Sequence, residues 1–537
     1  MKLVNGELAP RYDVVVLGSG ASGLAAAAVA ARKGKKVLVL EKASLLGGTS
    51  AVSGGMIWVP ATTHAAAAGN PDTLDEAATY VRAVARGRGR EELLDAAVHY
   101  GPETLTFLEE ECGMRFIFLD DFPDYRQDLP GASAGGRTLE PELFDGTVLG
   151  DLIDHVRTDG RAPFTMQEYE RWGAFTKFPW DELAERQKKG LLAKGRALVA
   201  GLLASCVRDG VDVAIEARAL TLRTSDNGVD GVILEDGTAV TADNVVVATG
   251  GFEWDKKLAD SMVQSRIYTQ CSPPSNTGDG LRMAQRIGSM TRGTREAWWA
   301  PMSVIPGDLR DGEQIGSLLR FERQGPGSLM VNRNGVRFAN ESQNYNDLAR
   351  ALHSWDSPNN RTLNSPVHVV FDTTYLKQYG VFAHRYGQPT PEYLIEAPTL
   401  AELAAKIHVP AEALEATVAR FNGFAEQGVD SDFGRGESAY DKYWGDQDNP
   451  WPNPSLAPLT EGPFYALPVV NGVFGTNGGI ATDGEGRVLD VDGQAIAGLY
   501  AVGNVTESAY AAGYPGAGAT LGPILVFGYR IGQAIAA

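Results

Sequence analysis

Residues 513–522 (GYPGAGATLG) place one tyrosine, Tyr514, directly before a run of glycines near the end of this 537-residue chain. Glycines this dense indicate a backbone that turns tightly or passes close to a ligand, because glycine adopts positive φ angles at little cost. Tyr514 carries the only titratable side chain of the segment. A phenol can donate a hydrogen bond to an oxygen that gains negative charge, as in an oxyanion hole. The segment therefore predicts a site where the backbone and one phenol meet a ligand.

A second glycine-rich segment has the chemistry of a dinucleotide-binding loop. It reads Gly18-Ser19-Gly20-Ala21-Ser22-Gly23. The apolar run before it (13–17) predicts a parallel strand, and the alanine-rich stretch after it (22–33) predicts a helix. The first glycine permits the turn, the second lets a pyrophosphate approach, and the third lets the helix pack on the strand. The helix N-terminus faces the phosphates with free N–H groups. Glu41, after the next apolar run (37–40), is expected to accept hydrogen bonds from a ribose.

The sequence after Glu41 favours FAD over NAD. Two more glycine-rich segments, 46–50 (LGGTS) and 53–56 (SGGM), suit a long, extended ligand. They resemble the cofactor signatures of the glutathione-reductase-like flavoproteins, as do later segments at 245–251 (VVVATGG), 276–280 (NTGDG) and 498–504 (GLYAVGN). No histidine lies at 47–56, where the covalently flavinylated relatives attach the cofactor, so FAD is expected to be bound non-covalently.

Together, the dinucleotide motif and this resemblance imply a set of cofactor contacts along the chain. The residues expected to contact FAD are Gly18, Gly20, Ala21, Ser22, Gly23, Glu41, Lys42, Gly48, Thr49, Ser50, Gly54, Gly55, Met56, Ala219, Ala248, Thr249, Gly250, Asp279, Gly503, Asn504 and Leu521.

The order of the predicted elements indicates an α/β fold in two domains. Short alternating runs at 211–249 predict a small antiparallel meander that returns to a central strand. More aromatic residues, prolines and polar loops follow from 292 to 455, before the glycine-rich pattern returns. We therefore expect a Rossmann-like, glutathione-reductase-like FAD-binding domain formed by 1–291 and 456–537. Residues 292–455 are expected to form an inserted α+β substrate-capping domain.

An insertion at this place resembles the fumarate reductase/succinate dehydrogenase flavoprotein superfamily. Its dicarboxylate branch carries an arginine a few residues after an RFxNE motif, which stands here as 337–341 (RFANE). Tyr345 occupies the place of that arginine, and the C-terminal loop offers Tyr514 where the dicarboxylate enzymes have histidine and arginine. Because carboxylates are bound by cationic side chains, we expect this site to lack the clamps that a dicarboxylate needs.

The chain more closely resembles the 3-ketosteroid Δ1-dehydrogenases. The similarity is carried by GTNGGI (475–480), AWW (297–299), PGSL (326–329) and YPGAGATLGP (514–523). It implies that Tyr345 removes the α-proton of a 3-ketosteroid and that the ketone oxygen binds the Tyr514 hydroxyl and the Gly518 N–H. A hydride then passes to the flavin. Tyr125 is the expected supporting tyrosine, although its segment, DYRQDLPGA (124–132), departs from the family pattern DYYPExPGG.

Composition limits the other classes of function. A net charge of −19 argues against a nucleic-acid partner. The three cysteines form no CxxC pair and the seven histidines no metal-binding spacing, so we expect neither a redox dithiol nor a metal site. No stretch of 18 apolar residues predicts a membrane span, and a cytoplasmic location is expected.

Several functions remain open from the sequence. The same chemistry could act at another ring position, as in a Δ4-type steroid dehydrogenase, on another cyclic ketone, or in reverse as a flavin enone reductase. A dicarboxylate reductase and a flavin protein that only carries electrons are further alternatives. No second Rossmann motif for a nicotinamide is evident, so the expected electron acceptor is a quinone-like compound or O₂.

Overall fold

A computed structural model describes residues 1–172 and 178–537. Its first sheet has nine strands. Seven follow one another in the order Lys2–Asn5, Asp212–Ile215, Val37–Leu40, Tyr12–Leu17, Ala239–Val247, Gly228–Leu234 and Ala219–Ser225, while Ala495–Ala501 pairs with Ala239–Val247 and with Arg487–Leu489. Five central strands are parallel: Asp212–Ile215, Val37–Leu40, Tyr12–Leu17, Ala239–Val247 and Ala495–Ala501. The predicted βαβ unit is confirmed.

The predicted meander at 211–249 is correct in part. Strands Ala219–Ser225, Gly228–Leu234 and Ala239–Val247 pair antiparallel, and the last returns to the centre of the sheet. Asp212–Ile215 instead lies parallel to Val37–Leu40 on the far side of the sheet. All four of its residues are buried, so this run meets the core on both faces, unlike a strand of a half-exposed meander.

Three helices cover one face of the first sheet: Ala21–Arg32, Lys194–Arg208 and the C-terminal Leu521–Ala536. The C-terminal helix approaches the first one closely at two glycines. A Cβ atom on Gly528 would lie 2.5 Å from the Ser22 carbonyl oxygen, and one on Gly532 would lie 2.4 Å from Val29 Cβ. This packing brings the loop that precedes the C-terminal helix, with Tyr514, to the dinucleotide motif.

The second sheet has seven strands and is mostly antiparallel. Its order is Glu313–Leu318, Ala297–Arg310, Phe464–Thr476, Val367–Asp372 and Ser328–Val331, with Thr269–Gln270 and Ile395–Ala397 also paired to Phe464–Thr476. Leu400–Ile407 and Ala411–Gln427 pack on one face of this sheet. The long strand Phe464–Thr476 comes from a part of the chain that the sequence assigned to the FAD-binding domain, and the domain boundaries 292 and 455 stay a prediction.

Shorter elements complete the described chain. Small sheets pair Ile57–Trp58, Thr138–Pro141 and Phe116–Leu119; Thr291–Arg292 and Gly479–Ile480; Trp355–Asp356 and Arg361–Thr362; and Phe144–Asp145 and Leu191–Leu192. The other α-helices are Gly48–Ala51, Thr63–Ala67, Leu74–Ala85, Glu91–His99, Gly101–Thr106, Met166–Trp172, Trp180–Lys188, Lys256–Met262, Asp279–Arg286, Phe321–Gln324, Tyr345–Ala351, Thr373–Tyr379 and Ala439–Tyr443. A π-helical turn spans Phe107–Glu111, and 3₁₀ turns span Gly146–His155 and Ser357–Asn359. Within the described ranges, no helix is long and apolar enough to cross a membrane.

Candidate active site

A cavity of about 2230 Å³ is lined by residues of both large sheets and of the C-terminal loop. The four predicted catalytic residues all line it, namely Tyr125, Tyr345, Tyr514 and Gly518. Every predicted FAD residue except Ala21 and Gly23 lines it as well. The fold thus brings segments from the whole length of the chain to one site.

Ala21 and Gly23 lie beneath the cavity surface. The backbone N–H of Ala21 donates to the Ser50 hydroxyl at 3.1 Å. A Cβ atom on Gly23 would lie 2.4 Å from the Gly18 carbonyl oxygen and 3.1 Å from Ala248 Cβ. These two residues hold the loop and the helix against the sheet, and their neighbours face the cavity.

The surface around the glycine loop fits a bound dinucleotide. The helix Ala21–Arg32 begins after Gly20, whose position provides no side-chain cap. The N–H of Ala21 binds Ser50, and the N–H groups of Ser22 and Gly23, which have no partner within the helix, are available to phosphates. A Cβ atom on Gly48 would meet no atom within 4 Å, which marks open space beside the loop. The Thr249 hydroxyl is buried and has no partner among the described residues. A buried, unpaired hydroxyl is costly unless a ligand satisfies it, so the residues present fit FAD.

Glu41 joins the glycine loop to the following segment. One carboxylate oxygen accepts hydrogen bonds from the Ser19 backbone N–H at 3.1 Å and from the Ser19 hydroxyl at 2.7 Å. The other accepts from the Ala43 N–H at 2.9 Å. Glu41 is only 8% exposed, yet it lines the cavity. The loop is therefore held in shape before any ribose binds.

Lys42 and Asp279 form an ion pair at the cavity wall. Lys42 Nζ lies 2.9 Å from Asp279 Oδ2 and donates to the Thr277 hydroxyl at 2.7 Å. Arg218 donates to both oxygens of the same carboxylate. Burial raises the pKa of Asp279, but the hydrogen bonds from Arg218 and Lys42 outweigh it and lower the pKa to about 2. This ion pair ties the strand end after Leu40 to the helix Asp279–Arg286.

Three tyrosines form a compact cluster on the cavity wall. The rings of Tyr125 and Tyr514 are stacked, with centroids 5.5 Å apart and an interplanar angle of 12°. The Tyr345 ring stands edge-on to both, 5.7 Å from Tyr125 and 5.3 Å from Tyr514. The hydroxyls of Tyr125 and Tyr514 are close enough to influence the ionisation of Tyr345. In the sequence, Tyr125 lies 220 positions and Tyr514 lies 169 positions from Tyr345. The fold thus brings three distant phenols into one cluster.

Burial controls the ionisation of this cluster. It raises the pKa of Tyr345 well above 10.0, and the interactions with Tyr125 and Tyr514 raise it further. Burial also raises the pKa of Tyr125 and that of Tyr514, and hydrogen bonding from Tyr345 partly offsets each rise. All three phenols are therefore protonated at neutral pH in the free cavity. A tyrosine base here requires the cluster to lose a proton first.

Backbone contacts position the tyrosines. Tyr345 begins the helix Tyr345–Ala351, whose N-cap Asn344 accepts the Asp347 N–H at 2.9 Å. The Tyr125 N–H donates to the carbonyl of Pro515, next to Tyr514, at 2.8 Å. The Tyr514 hydroxyl and the Thr520 hydroxyl are hydrogen-bonded at 3.1 Å. The loop that carries Tyr514 is therefore fastened at both ends.

Gly518 lies where no other residue fits. Its φ is +87°, and a Cβ atom would lie 2.4 Å from the backbone carbonyl carbon of Ile57. Its N–H donates to no acceptor among the residues described. A ligand oxygen in the cavity can therefore take that hydrogen bond.

Sequence reasoning missed a group of cations that line the cavity: Arg161, Arg171, Lys194 and Arg320. The predicted absence of dicarboxylate clamps concerned only the C-terminal loop and the position of Tyr345, and it stays a prediction; these cations lie elsewhere on the cavity wall. Arg320 lies a few residues before the PGSL motif (326–329). No pattern in that segment indicates that its side chain reaches the cavity, because a turn between strand and helix sets its direction.

Comparison with known proteins gives consistent matches along the chain. A family model described as an FAD binding domain matches residues 13–521. The 4-oxocyclohexanecarboxylate 2-dehydrogenase of Sinomonas cyclohexanicum is 70% identical over 533 residues, covering 98% of this chain and 93% of that protein. The 3-oxosteroid 1-dehydrogenase of Mycolicibacterium smegmatis is 35% identical over 564 residues, covering 98% and 97%. A crystal structure of the 3-ketosteroid Δ1-dehydrogenase from Sterolibacterium denitrificans, in complex with 1,4-androstadiene-3,17-dione, superposes with a TM-score of 0.90 at 33% identity, covering 98% of this chain and 100% of that one.

Proposed function

We propose that this protein introduces a double bond next to the ketone in the ring of a keto acid similar to 4-oxocyclohexanecarboxylate. The chain belongs to the FAD-binding-domain family of flavoproteins, whose model spans residues 13–521. It is a cyclic ketone dehydrogenase that acts on CH–CH bonds, and its cofactor is FAD. The fold is that of the fumarate reductase flavoprotein superfamily. The observation that carries the proposed chemistry is the packing of the Tyr345 ring, edge-on to Tyr125 and to Tyr514, on the wall of the cavity.

Tyr514 and Gly518 bind the ketone oxygen. A ketone acidifies the neighbouring C–H bond only if the negative charge that develops on its oxygen is stabilised. One phenol O–H and one backbone N–H, both held in place before substrate binds, supply that stabilisation. Removing a single donor of this kind costs about 10²–10³-fold in rate. The two donors are held in place before substrate binds. The N–H of Gly518 has no acceptor among the described residues. The Tyr80 hydroxyl donates to the Pro515 carbonyl at 2.6 Å and so fixes the loop that carries Tyr514.

Tyr345 takes the α-proton. The C–H bond beside the carbonyl breaks, and its proton passes to the phenolate oxygen of Tyr345. The electron pair of that bond forms the new C=C double bond. The β-hydrogen leaves as hydride with the electron pair of its own C–H bond. Bound FAD supplies the acceptor for that hydride. Tyr125 donates a hydrogen bond that stabilises the phenolate. Each turnover leaves two electrons from the substrate on the enzyme, and an external quinone-like acceptor or O₂ removes them.

Aromatic rings keep water from the reacting atoms. Trp298 stands edge-on to Tyr514 at 5.2 Å, and Phe474 stands edge-on to Tyr345 at 5.1 Å. Tyr440 packs 4.9 Å from Tyr125. Electrostatic stabilisation of an enolate is stronger in a dry site than in water. The cluster is therefore suited to proton removal from a weakly acidic carbon.

The identity of the substrate rests on the relatives. The 70% identical protein is named for 4-oxocyclohexanecarboxylate, with desaturation at C2, and this identity is twice that to the 3-oxosteroid 1-dehydrogenase, at 35%. A 3-ketosteroid is the second candidate. It is favoured by the TM-score of 0.90 to a structure that holds a steroid.

Anaerobic mixing of the FAD-loaded enzyme with a substrate panel tests the proposal. The panel contains 4-oxocyclohexanecarboxylate, androst-4-ene-3,17-dione and cyclohexanone, and loss of the visible flavin absorbance reports oxidation. The keto acid is expected to reduce the flavin fastest. Faster reduction by the steroid would establish the second candidate. Reoxidation of the reduced enzyme by fumarate, with no reduction by any ketone, would replace both with a dicarboxylate reductase.

A further inference from the structure

Arg320 is a cavity-lining cation without a carboxylate partner. Its side chain is exposed and lines the cavity. It forms no ion pair within 4.0 Å among the described residues, although its charge lowers the pKa of the neighbouring Glu322 against the larger rise caused by burial. The acid closest in sequence, Glu322, uses its oxygens to accept the backbone N–H groups of Arg320 and Phe382, at 3.1 Å and 3.3 Å. The charge of Arg320 is therefore available to a ligand.

The backbone of Arg320 is held firmly even though its guanidinium is free. The residue follows the strand Glu313–Leu318 and caps the short helix Phe321–Gln324. The carbonyl of Arg320 accepts the N–H groups of Arg323 and Gln324, each at 3.2 Å. These bonds fix the starting point of the side chain, so less conformational freedom is lost when its planar fork binds a ligand.

Arg320 lines the same cavity as Tyr125, Tyr440 and Tyr514. Its positive charge lowers the pKa of the hydroxyls of Tyr125, Tyr440 and Tyr514, against the larger rise caused by burial. It is the one charged side chain whose effect on Tyr514 is resolved among the described residues. An anion at Arg320 would therefore lie in the same cavity as a ketone held by Tyr514.

Two of the other cations that line the cavity, Arg161 and Lys194, are less suited to bind an anion. Arg161 lies 3.7 Å from the carboxylate of Asp159. Lys194 Nζ packs 3.3 Å from the centre of the Phe164 ring. Burial lowers the pKa of Lys194 to about 7, so its charge is only partial at neutral pH. Neither residue offers a fully charged, unpaired group beside the tyrosines.

We propose that Arg320 binds the carboxylate of the substrate and thereby selects a cyclic keto acid over an uncharged cyclic ketone; this rests on the proposed function. In a 4-oxocyclohexanecarboxylate, ketone and carboxylate lie at opposite ends of the ring. Tyr514 with Gly518 would hold one end and Arg320 the other. A guanidinium can bind a carboxylate through two parallel hydrogen bonds, which fixes the ring between the two anchors. A steroid would place hydrocarbon against an unpaired cation, which is unfavourable.

Two substitutions and a matched control test this role with charged and neutral substrates. The FAD-loaded wild type, R320Q, R320K and R88Q are compared, because Arg88 is an exposed arginine that does not line the cavity. The kcat/KM is measured with 4-oxocyclohexanecarboxylate and with its methyl ester. R320Q is expected to lower kcat/KM for the acid roughly ten- to hundredfold, the usual size of a lost charged hydrogen bond. The loss should fall mainly on KM, the ester should change less than about twofold, and R320K should restore part of the loss.

A binding experiment separates this inference from the proposed function. Cyclohexanecarboxylate has no ketone and cannot undergo the reaction, so calorimetry on the FAD-loaded enzyme measures recognition of the carboxylate alone. Wild type and R88Q are expected to bind it and R320Q to bind it at least tenfold more weakly. If wild type binds the anion but oxidises no keto acid, the inference stands and the proposed function fails. Absence of binding to wild type, equal binding by R320Q, or equal losses for acid and ester would overturn the role of Arg320.

Discussion

Replacing Tyr514 with phenylalanine removes one hydroxyl and leaves the packing of the ring in place. The phenylalanine ring can keep the stacking on Tyr125 at 5.5 Å and the edge contact with Trp298 at 5.2 Å. The hydroxyl interacts with Thr520 at 3.1 Å and with Tyr345. Loss of one such hydrogen bond costs about 1 kcal/mol of stability, so we expect the variant to fold and to retain FAD.

The rate of flavin reduction should fall far more than stability. Tyr514 supplies one of the two donors assigned to the developing enolate, and loss of one oxyanion donor costs about 10²–10³-fold, or ~3–4 kcal/mol of barrier. Anaerobic stopped-flow mixing with 4-oxocyclohexanecarboxylate measures this rate without interference from the electron acceptor. Flavin content and thermal unfolding are measured on the same preparation.

Tyr510→Phe is the matched control. The Tyr510 hydroxyl is buried but has no hydrogen-bond partner among the described residues, and Tyr510 does not line the cavity. The same chemical change four residues earlier should therefore leave the rate within about twofold, as expected of a change that removes no interaction. A Tyr514→Phe rate within fivefold of wild type, with full FAD content, would refute the assignment of Tyr514 to the ketone oxygen. So would an equal loss in Tyr510→Phe.

Three further outcomes follow from the same site. Tyr345→Phe should lower the reduction rate by about 10²–10⁴-fold, the usual contribution of a general base, while FAD absorbance stays unchanged; a smaller loss than that of Tyr514→Phe would point to another base. Because the pKa of Tyr345 is raised above 10.0, its reactive phenolate becomes more populated as pH rises, so kcat/KM should still be climbing at pH 10; a plateau near neutrality would contradict a tyrosine base. Gly518→Ala should lower the melting temperature and the FAD content, because it places a methyl group 2.4 Å from the carbonyl carbon of Ile57 at a φ of +87°. Strain of this kind costs more than ~1 kcal/mol. Wild-type values of both quantities would show that the loop can relax.

Local sequence determined the cofactor half of this protein in detail. The predicted strand 13–17, helix 22–33 and strand 37–40 correspond to Tyr12–Leu17, Ala21–Arg32 and Val37–Leu40. Continuous apolar runs, an alanine-rich stretch and three glycines at fixed spacing act over a few residues, so they can be recognised without any long-range contact. The same holds for the glycine-rich bend after Tyr514, whose composition requires close backbone approach.

Local patterns were insufficient where distant segments meet. The run at 212–215 was placed in the wrong part of the sheet, because period and propensity do not say which neighbour a strand pairs with. Lys42 and Asp279, 237 residues apart, pair with each other, which no motif indicates. Arg320 reaches the cavity because Glu322 and a short helix set the direction of its turn.

The sequence by itself determined an FAD-binding chain with tyrosines suited to carbonyl chemistry, and the tertiary structure decided what surrounds them. Tyr125, Tyr345 and Tyr514 become one network only when a helix, a loop and the C-terminal bend converge, and burial there raises all three pKa values. The guanidinium of Arg320 lines the same cavity, and the proposed preference for a keto acid rests on it. Residue type sets the chemistry that is available, but distance, burial and the charge of neighbours set which of it is expressed.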